Sequence, residues 1–246
     1  MSGTVLILGA TSAIARATAA AFAARGHALY LAARDQDELA RIGADLALRY
    51  GIDVHHGPFD ARATDTHTAF LEHVLDTAGE LDGVVLAFGL LGDQQQARSD
   101  FTAARAVIDT NFTGAASILS LCADHFEQQA TGFIIGISSV AGDRGRQSNY
   151  TYGAAKGALS LYLAGLRNRL HAAGVRVVTV KPGFVDTAMT FGLPGMFLVA
   201  SPDSVGRRIA RAAESGTEVV YTPWFWRYIM LIIRLIPERL FKRLQL

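Results

Sequence analysis

The chain has 246 residues, of which 50% are hydrophobic and 18% charged, with a single cysteine and a formal net charge of +1. This composition excludes a disordered chain, one cysteine excludes a disulfide scaffold, and the length suits a single sizeable α/β domain. Charged residues fall below the usual proportion and mean hydropathy is +0.24, so some apolar surface is expected to meet a partner subunit or lipid.

No Pro/Ser-rich linker, repeat or long charge run interrupts the sequence, so one folding unit is expected over 1–222 and a tail over 223–246. The opening MSGTVLILGA runs directly into a strand-like segment with no charged leader region or cleavage site, which is the expectation for a cytoplasmic protein. The longest stretch without charge, 187–202, contains Gly192, Pro194, Gly195 and Pro202 and is a poor spanning helix.

Seven short aliphatic or β-branched runs predict strands: VLILG at 5–9, ALYLAA at 28–33, DVHHGPF at 53–59, GVVLAFG at 83–89, GFIIGISS at 132–139, RVVTVKPG at 176–183 and EVVYTP at 218–223. Ala- and Leu-rich segments long enough for helices fill nearly every gap. Continuous apolar strands alternating with helices predict a Rossmann-type doubly wound parallel α/β sheet with helices on both faces. Ligands of such sheets bind at the carboxyl ends of the strands, so the residues after each run carry the functional signal.

After the first run, Gly9 makes a turn and Thr11, Ser12, Ala13 and Ile14 open a helix whose free N–H groups suit a pyrophosphate. A tight strand-to-helix turn of no function reads the same way. The second run ends at Arg34, whose guanidinium suits a 2′-phosphate and favours NADPH over NADH; Asp35 follows it, and a solvated or helix-capping charge is the alternative. The third run leads to Asp60 and Ala61, where Asp60 is either an adenine acceptor or a turn aspartate.

In ISSVAGDRGRQSNYTYGAAKGAL, Tyr152 and Lys156 stand four apart on a predicted helix and therefore on one face, with Ser139 thirteen residues before the tyrosine. A lysine ammonium beside a phenol is expected to lower the phenol's pKa and make it a proton donor and acceptor. Tyr150 has Ala154 at the same spacing and lacks such a partner. Asn111 lies in DTNFTG, and KPGFVDT places Pro182, Gly183, Val185 and Thr187 after the sixth strand.

This set resembles the short-chain dehydrogenase/reductase family over most of the chain, from Val5 to about Thr222. The resemblance implies hydride transfer between NAD(P)H and a carbonyl compound. Tyr152 would be the general acid/base, Lys156 would hold the nicotinamide ribose and depress the tyrosine pKa, Ser139 would orient the carbonyl, and Asn111 would position a relay water. Gly9, Thr11, Ser12, Ala13, Ile14, Arg34, Asp60, Ala61, Ala87, Gly89, Pro182, Gly183, Val185 and Thr187 would line the cofactor, and a homo-oligomer with no metal is implied. Two departures stand out. Ala13 and Ala15 replace phosphate-loop glycines and are expected to narrow the approach to the pyrophosphate, while LAFG at 86–89 replaces Asn-Asn-Ala-Gly and puts Phe88 in the wall beside the nicotinamide.

AFGLLGD at 87–93 and the ending from Pro223 resemble more narrowly the decaprenylphosphoryl-2-keto-pentose reductases of arabinan precursor synthesis. That likeness implies a polyprenyl-phosphate keto-sugar as substrate, reduced at C2, and a flavin oxidase partner that makes it. A reductase of another hydrophobic ketone, such as a 3-oxoacyl thioester, and a non-catalytic cofactor-binding membrane scaffold are the alternatives.

The tail carries five Lys/Arg against Glu238, so the basic character of the chain belongs there. On a helix, Arg227, Arg234, Glu238 and Lys242 share a stripe opposite Ile229, Met230, Ile232, Ile233, Ile236, Leu240 and Leu244, with Pro237 expected to kink or split it. Such a segment suits an anionic membrane surface or a second subunit. Basic residues interleaved with aliphatics give little support to nucleic-acid binding. In 187–202, the side chains of Met189, Phe191, Leu193, Met196 and Phe197 suit a lid that shelters a lipid chain or packs shut over the cleft.

Overall fold

The computed structural model describes residues 3–192 and 195–244. Seven strands, β1 (Thr4–Leu8), β2 (Ala28–Ala33), β3 (Val54–Pro58), β4 (Leu81–Leu86), β5 (Phe133–Ile137), β6 (Arg176–Pro182) and β7 (Val219–Thr222), form one sheet in the order β3-β2-β1-β4-β5-β6-β7. Every pairing is parallel, as the apolar runs predict. The order reverses beside β1, which pairs with β2 on one side and β4 on the other, so the crevice between the loops after β1 and β4 is the switch point of the fold.

The helices are α1 (Ala13–Ala23), α2 (Gln36–Tyr50), α3 (His67–Ala78), α4 (Gln94–Ser99), α5 (Phe101–Ile108), α6 (Gly114–Gln129), α7 (Tyr150–Leu170), α8 (Pro202–Glu214), α9 (Trp226–Leu235) and α10 (Glu238–Phe241). Alternation along β1 divides the core. Val5 and Ile7 join α1, α2 and α8 on one face, while Leu6 and Leu8 join α3, α6 and α7 on the other. Each fully buried large aliphatic of these layers contributes about 1.5–3 kcal/mol.

Helix starts follow ordinary cap chemistry. Ser12 accepts from the Ala15 amide to start α1, Asp35 accepts from the Glu38 amide to start α2, and Ser201 with Pro202 behind it starts α8. The small residues of α1 let α8 approach closely: a Cβ on Gly206 would lie 2.4 Å from the Ala17 carbonyl carbon.

The helical run Phe101–Gln129 joins α5 to α6 through a widened π-helical turn, Asp109–Thr113, and is long and apolar enough by composition to cross a membrane. Much of it is core: Val107, Asn111, Ala115, Ile118, Leu119, Cys122, Ala123 and Phe126 are buried. The tail splits at Pro237, as its sequence predicts. It docks through Trp226, Met230 and Phe241, which are buried, while Trp224, Tyr228, Leu231, Ile232, Leu235 and Leu240 stay exposed. The apolar stripe read from the sequence is therefore divided, with Ile229, Met230 and Ile233 packed inward and Ile232 and Leu240 outward. Of the lid residues, Leu193 lies outside the described residues; Met189, Phe191 and Phe197 are exposed.

The α1–α8 contact is testable. Gly206→Ala places a methyl against backbone that cannot yield and is expected to cost about 1–3 kcal/mol. Gly165→Ala, on the exposed side of α7 with nothing within 4 Å of its added Cβ, is expected to gain up to about 1 kcal/mol from helix propensity. Urea unfolding of the two variants should move in opposite directions.

Candidate active site

A cavity of about 450 Å³ opens at the carboxyl ends of β1, β4, β5 and β6. It gathers Thr11, Ser12, Ala13 and Ile14 from the start of α1, Ala87 and Gly89 from the loop after β4, Ser139 after β5, Tyr152 and Lys156 of α7, and Pro182, Gly183, Val185 and Thr187 after β6. Five other sequence candidates lie outside this lining. Gly9 turns the chain with φ +82°, and a Cβ there would lie 2.7 Å from the Phe88 amide nitrogen. Asn111 is buried, with its side-chain amide donating to the carbonyls of Leu90 (2.6 Å) and Val107 (2.8 Å) and its Oδ1 accepting from the Leu90 amide. It thus clamps the AFGLLGD loop. Asp60 uses its carboxylate on the Arg62 amide at 2.9 Å, as a turn residue does, and Ala61 is buried over the start of α6. Arg34 is exposed at the end of β2 and makes no ion pair or hydrogen bond among the described residues.

Ser139, Tyr152 and Lys156 meet because a turn and a helix pack backbone to backbone. Residues Val140–Asp143 form a 3-10 turn whose cap is Ser139, its hydroxyl accepting from the Ala141 amide at 3.1 Å. A Cβ on Gly142 would lie 2.7 Å from the Gly157 amide nitrogen, and one on Gly153 would lie 2.9 Å from the Ala141 carbonyl oxygen. Only glycines allow this approach, which places the Ser139 hydroxyl beside the Tyr152 hydroxyl in the cavity. Lys156 donates from Nζ to the Ile137 carbonyl at 2.9 Å, with its Nζ 5.9 Å from the Tyr152 ring centre. Ser138 donates to the Lys156 carbonyl at 2.8 Å and fixes the same helix from the strand side.

The family model described as short chain dehydrogenase matches residues 3–194. The chain belongs to that family. It is 37% identical over 240 residues to an uncharacterised oxidoreductase of Mycobacterium tuberculosis, covering 98% of this chain and 96% of that one. It is also 37% identical over 243 residues to one of Streptomyces coelicolor, covering 98% and 95%. Among solved structures, a short-chain dehydrogenase from Sphingobium yanoikuyae in complex with NADPH superposes with a TM-score of 0.82 at 25% identity, covering 96% and 97% of the two chains. This short-chain dehydrogenase is accordingly an oxidoreductase, and the cleft at its switch point is suited to NAD(P). The residues fit such a group: no acidic residue lies in the first turn of α1, no Asp or Glu among the described residues lines the cavity, and Gly9 keeps the loop open.

Two expectations are corrected. Ala15 does not narrow the phosphate approach, because its methyl is buried in the core between α1 and the sheet; only Ala13 faces the cavity. The proton pair also shifts otherwise than its spacing predicts. Burial pushes Tyr152 up to about 12, opposed by the Ser139 hydrogen bond, and pushes Lys156 down to about 8. Both groups leave water in one cavity, and desolvation disfavours each charged form. The Tyr152 phenol is therefore held in its protonated form.

Several residues of the site escaped the sequence reading. The glycine seam is a contact between segments about fifteen residues apart, and only the four-residue spacing of Gly153 and Gly157 hinted at it. Trp226 of the tail is buried in the cavity wall, filling the space above Gly183 where a Cβ would lie 1.9 Å from the indole nitrogen. Arg146 and Asn149, on the loop into α7, also line the cavity.

Gly142→Ala is expected to lose most of the turnover while Gly145→Ala, with nothing within 4 Å of its added Cβ, keeps it; steady-state kinetics on both variants checks this. The pH profile is expected to be one-sided. Below about pH 8 Lys156 is charged and Tyr152 protonated, so carbonyl reduction should be flat there and fall as pH rises and Lys156 loses its proton. A profile that instead rises with pH through this range would contradict the assignment.

Proposed function

We propose that this protein is an NADPH-dependent reductase that acts at a membrane surface on the keto group of a polyprenyl-phosphate-linked pentose. The observation that carries the reading is the shared wall: Trp226 of the tail and Met189 of the lid line the cavity that holds Tyr152 and Lys156. Phe197 of the lid packs on Trp226 at 5.5 Å between ring centres, joining the two segments. From that wall outward run exposed Met189, Phe191, Phe197 and Leu198 of the lid and Trp224, Tyr228, Leu231, Ile232 and Leu235 of the tail, with exposed Arg227 and Arg234 among them. An apolar, cationic, tryptophan-bearing margin at the mouth of a carbonyl-reducing cavity matches a substrate whose sugar enters the cavity while its chain stays in lipid. The AFGLLGD loop and the ending from Pro223 support the same reading by their resemblance to the keto-pentose reductases.

Preference for NADPH is supported by the division of labour at the end of β2. Asp35 is occupied as the cap of α2, which leaves the Arg34 guanidinium unpaired for a 2′-phosphate. When bound, the nicotinamide supplies the hydride. Tyr152 then gives its phenolic proton to the carbonyl oxygen while Ser139 holds that oxygen in place. Lys156, anchored on the Ile137 carbonyl one turn along the same helix, compensates the phenolate left behind.

The test is NADPH consumption by the purified protein with a 2-keto-pentosyl polyprenyl phosphate, generated in place by a flavin oxidase and presented in anionic phospholipid vesicles. Wild type is expected to turn over, and Tyr152→Phe is expected to fall by about 10²–10⁴-fold. Ile232→Glu with Leu235→Glu should slow turnover in vesicles and leave it unchanged in detergent. NADPH binding without consumption by wild type would refute the keto-sugar assignment.

A further inference from the structure

The cavity contains a cation that the reduction chemistry does not use. Arg146 lines it, on the loop between the Ser139 turn and α7, and makes no ion pair and no side-chain hydrogen bond among the described residues. Its Nε is buried without a partner, and burial holds its pKa below the usual arginine range. Two more buried polar atoms in the same lining lack partners: the Trp226 indole Nε1 and Asn149 Oδ1. The neighbouring acid is already committed, since Asp143 is bonded to Lys181 and Tyr221. The other cations of the lining have partners of their own: Arg16 pairs with Glu38, and Lys156 is held by Ile137.

A guanidinium whose Nε is buried without a partner is costly, and one at a cavity lined by no carboxylate among the described residues recovers that cost when an anion arrives. We infer that Arg146, with the Trp226 indole N–H as a second donor, binds an anionic phosphate ester carried by the substrate, while Asn149 accepts from a substrate hydroxyl. This assignment rests on the reductase reading and deepens it: it names the groups of this cavity that recognise the phosphate and a hydroxyl of the substrate. Arg146 belongs to the acid/base side of the cleft, on the loop that leads to Tyr152, whereas the start of α1 provides the N–H groups for the dinucleotide pyrophosphate.

The test uses binding rather than turnover, so that it stands apart from the test of the reductase reading. NADPH-loaded wild type, Arg146→Gln and Arg146→Lys are titrated calorimetrically with farnesyl phosphate, farnesol and inorganic phosphate, and NADPH affinity is measured for each. Wild type is expected to bind farnesyl phosphate about tenfold or more tighter than farnesol, the worth of one charge-assisted hydrogen bond. Arg146→Gln should abolish that preference, Arg146→Lys should keep most of it, and NADPH affinity should be the same in all three. Equal binding of the ester and alcohol by wild type, or a preference that survives in Arg146→Gln, overturns the inference. So does inorganic phosphate binding as tightly as the ester, or a parallel loss of NADPH affinity in Arg146→Gln, which would place the arginine on the cofactor. Protein that passes this test yet never reduces the keto-sugar lipid would refute the proposed reaction and leave the anion site standing.

Discussion

The backbone contact between the turn after β5 and helix α7 sets the relative position of Ser139, Tyr152 and Lys156. Gly142 lies against Lys156–Gly157, and Gly153 lies against Ala141, which brings Ser139 and Tyr152 to the same part of the cavity. The same turn is held from behind. The carboxylate of Asp143, with its side chain 3% exposed, takes the Lys181 ammonium of β6 and the Tyr221 hydroxyl of β7, and burial together with this hydrogen bond raises the tyrosine's pKa. Removing one member of such a buried pair leaves an uncompensated charge, so the turn is fixed to the sheet edge as well as to the helix.

One residue further along, Arg144 carries this rigidity to the tail. Its guanidinium donates to the carbonyls of Ile233 (2.5 Å) and Ile236 (2.7 Å), the open C-terminal end of α9, bonds Glu238 at 3.0 Å and lies 3.7 Å from the Phe241 ring centre. A cation at a helix C-terminus satisfies carbonyls that have no helical partner. The consequence is functional: the segment that presents Trp226 to the cavity is tied to the turn that presents Ser139. Trp226 and the Ser139 turn therefore belong to one connected wall of the cavity, with the exposed apolar margin of the tail outside it.

Much of this was legible in the sequence, for identifiable reasons. Parallel strands buried on both faces must be continuous apolar runs, so all seven appear within a few residues of their observed limits; the fourth and fifth end before LAFG and ISS finish because those residues leave the sheet to build the cleft. Tyr152 and Lys156 were legible from helical spacing, and burial separates Tyr152 from the half-exposed Tyr150. What was not legible depends on contact between segments. The glycine seam has no periodic signature, the docking of Trp226 above Gly183 joins residues more than forty apart, and the pKa directions follow from shared burial that spacing alone does not encode. Ala15 misled for a similar reason, since only the orientation of α1 decides whether its methyl meets the phosphate or the core.

The most direct measurement of the central claim is label transfer. Protein supplied with NADPH deuterated at the transferable C4 position and with the lipid-linked keto-pentose should place deuterium on C2 of the recovered lipid-linked sugar, in the arabino configuration, as read by mass spectrometry and NMR. Recovery of the keto-sugar unlabelled, with the deuterium still on the dinucleotide, would contradict the account.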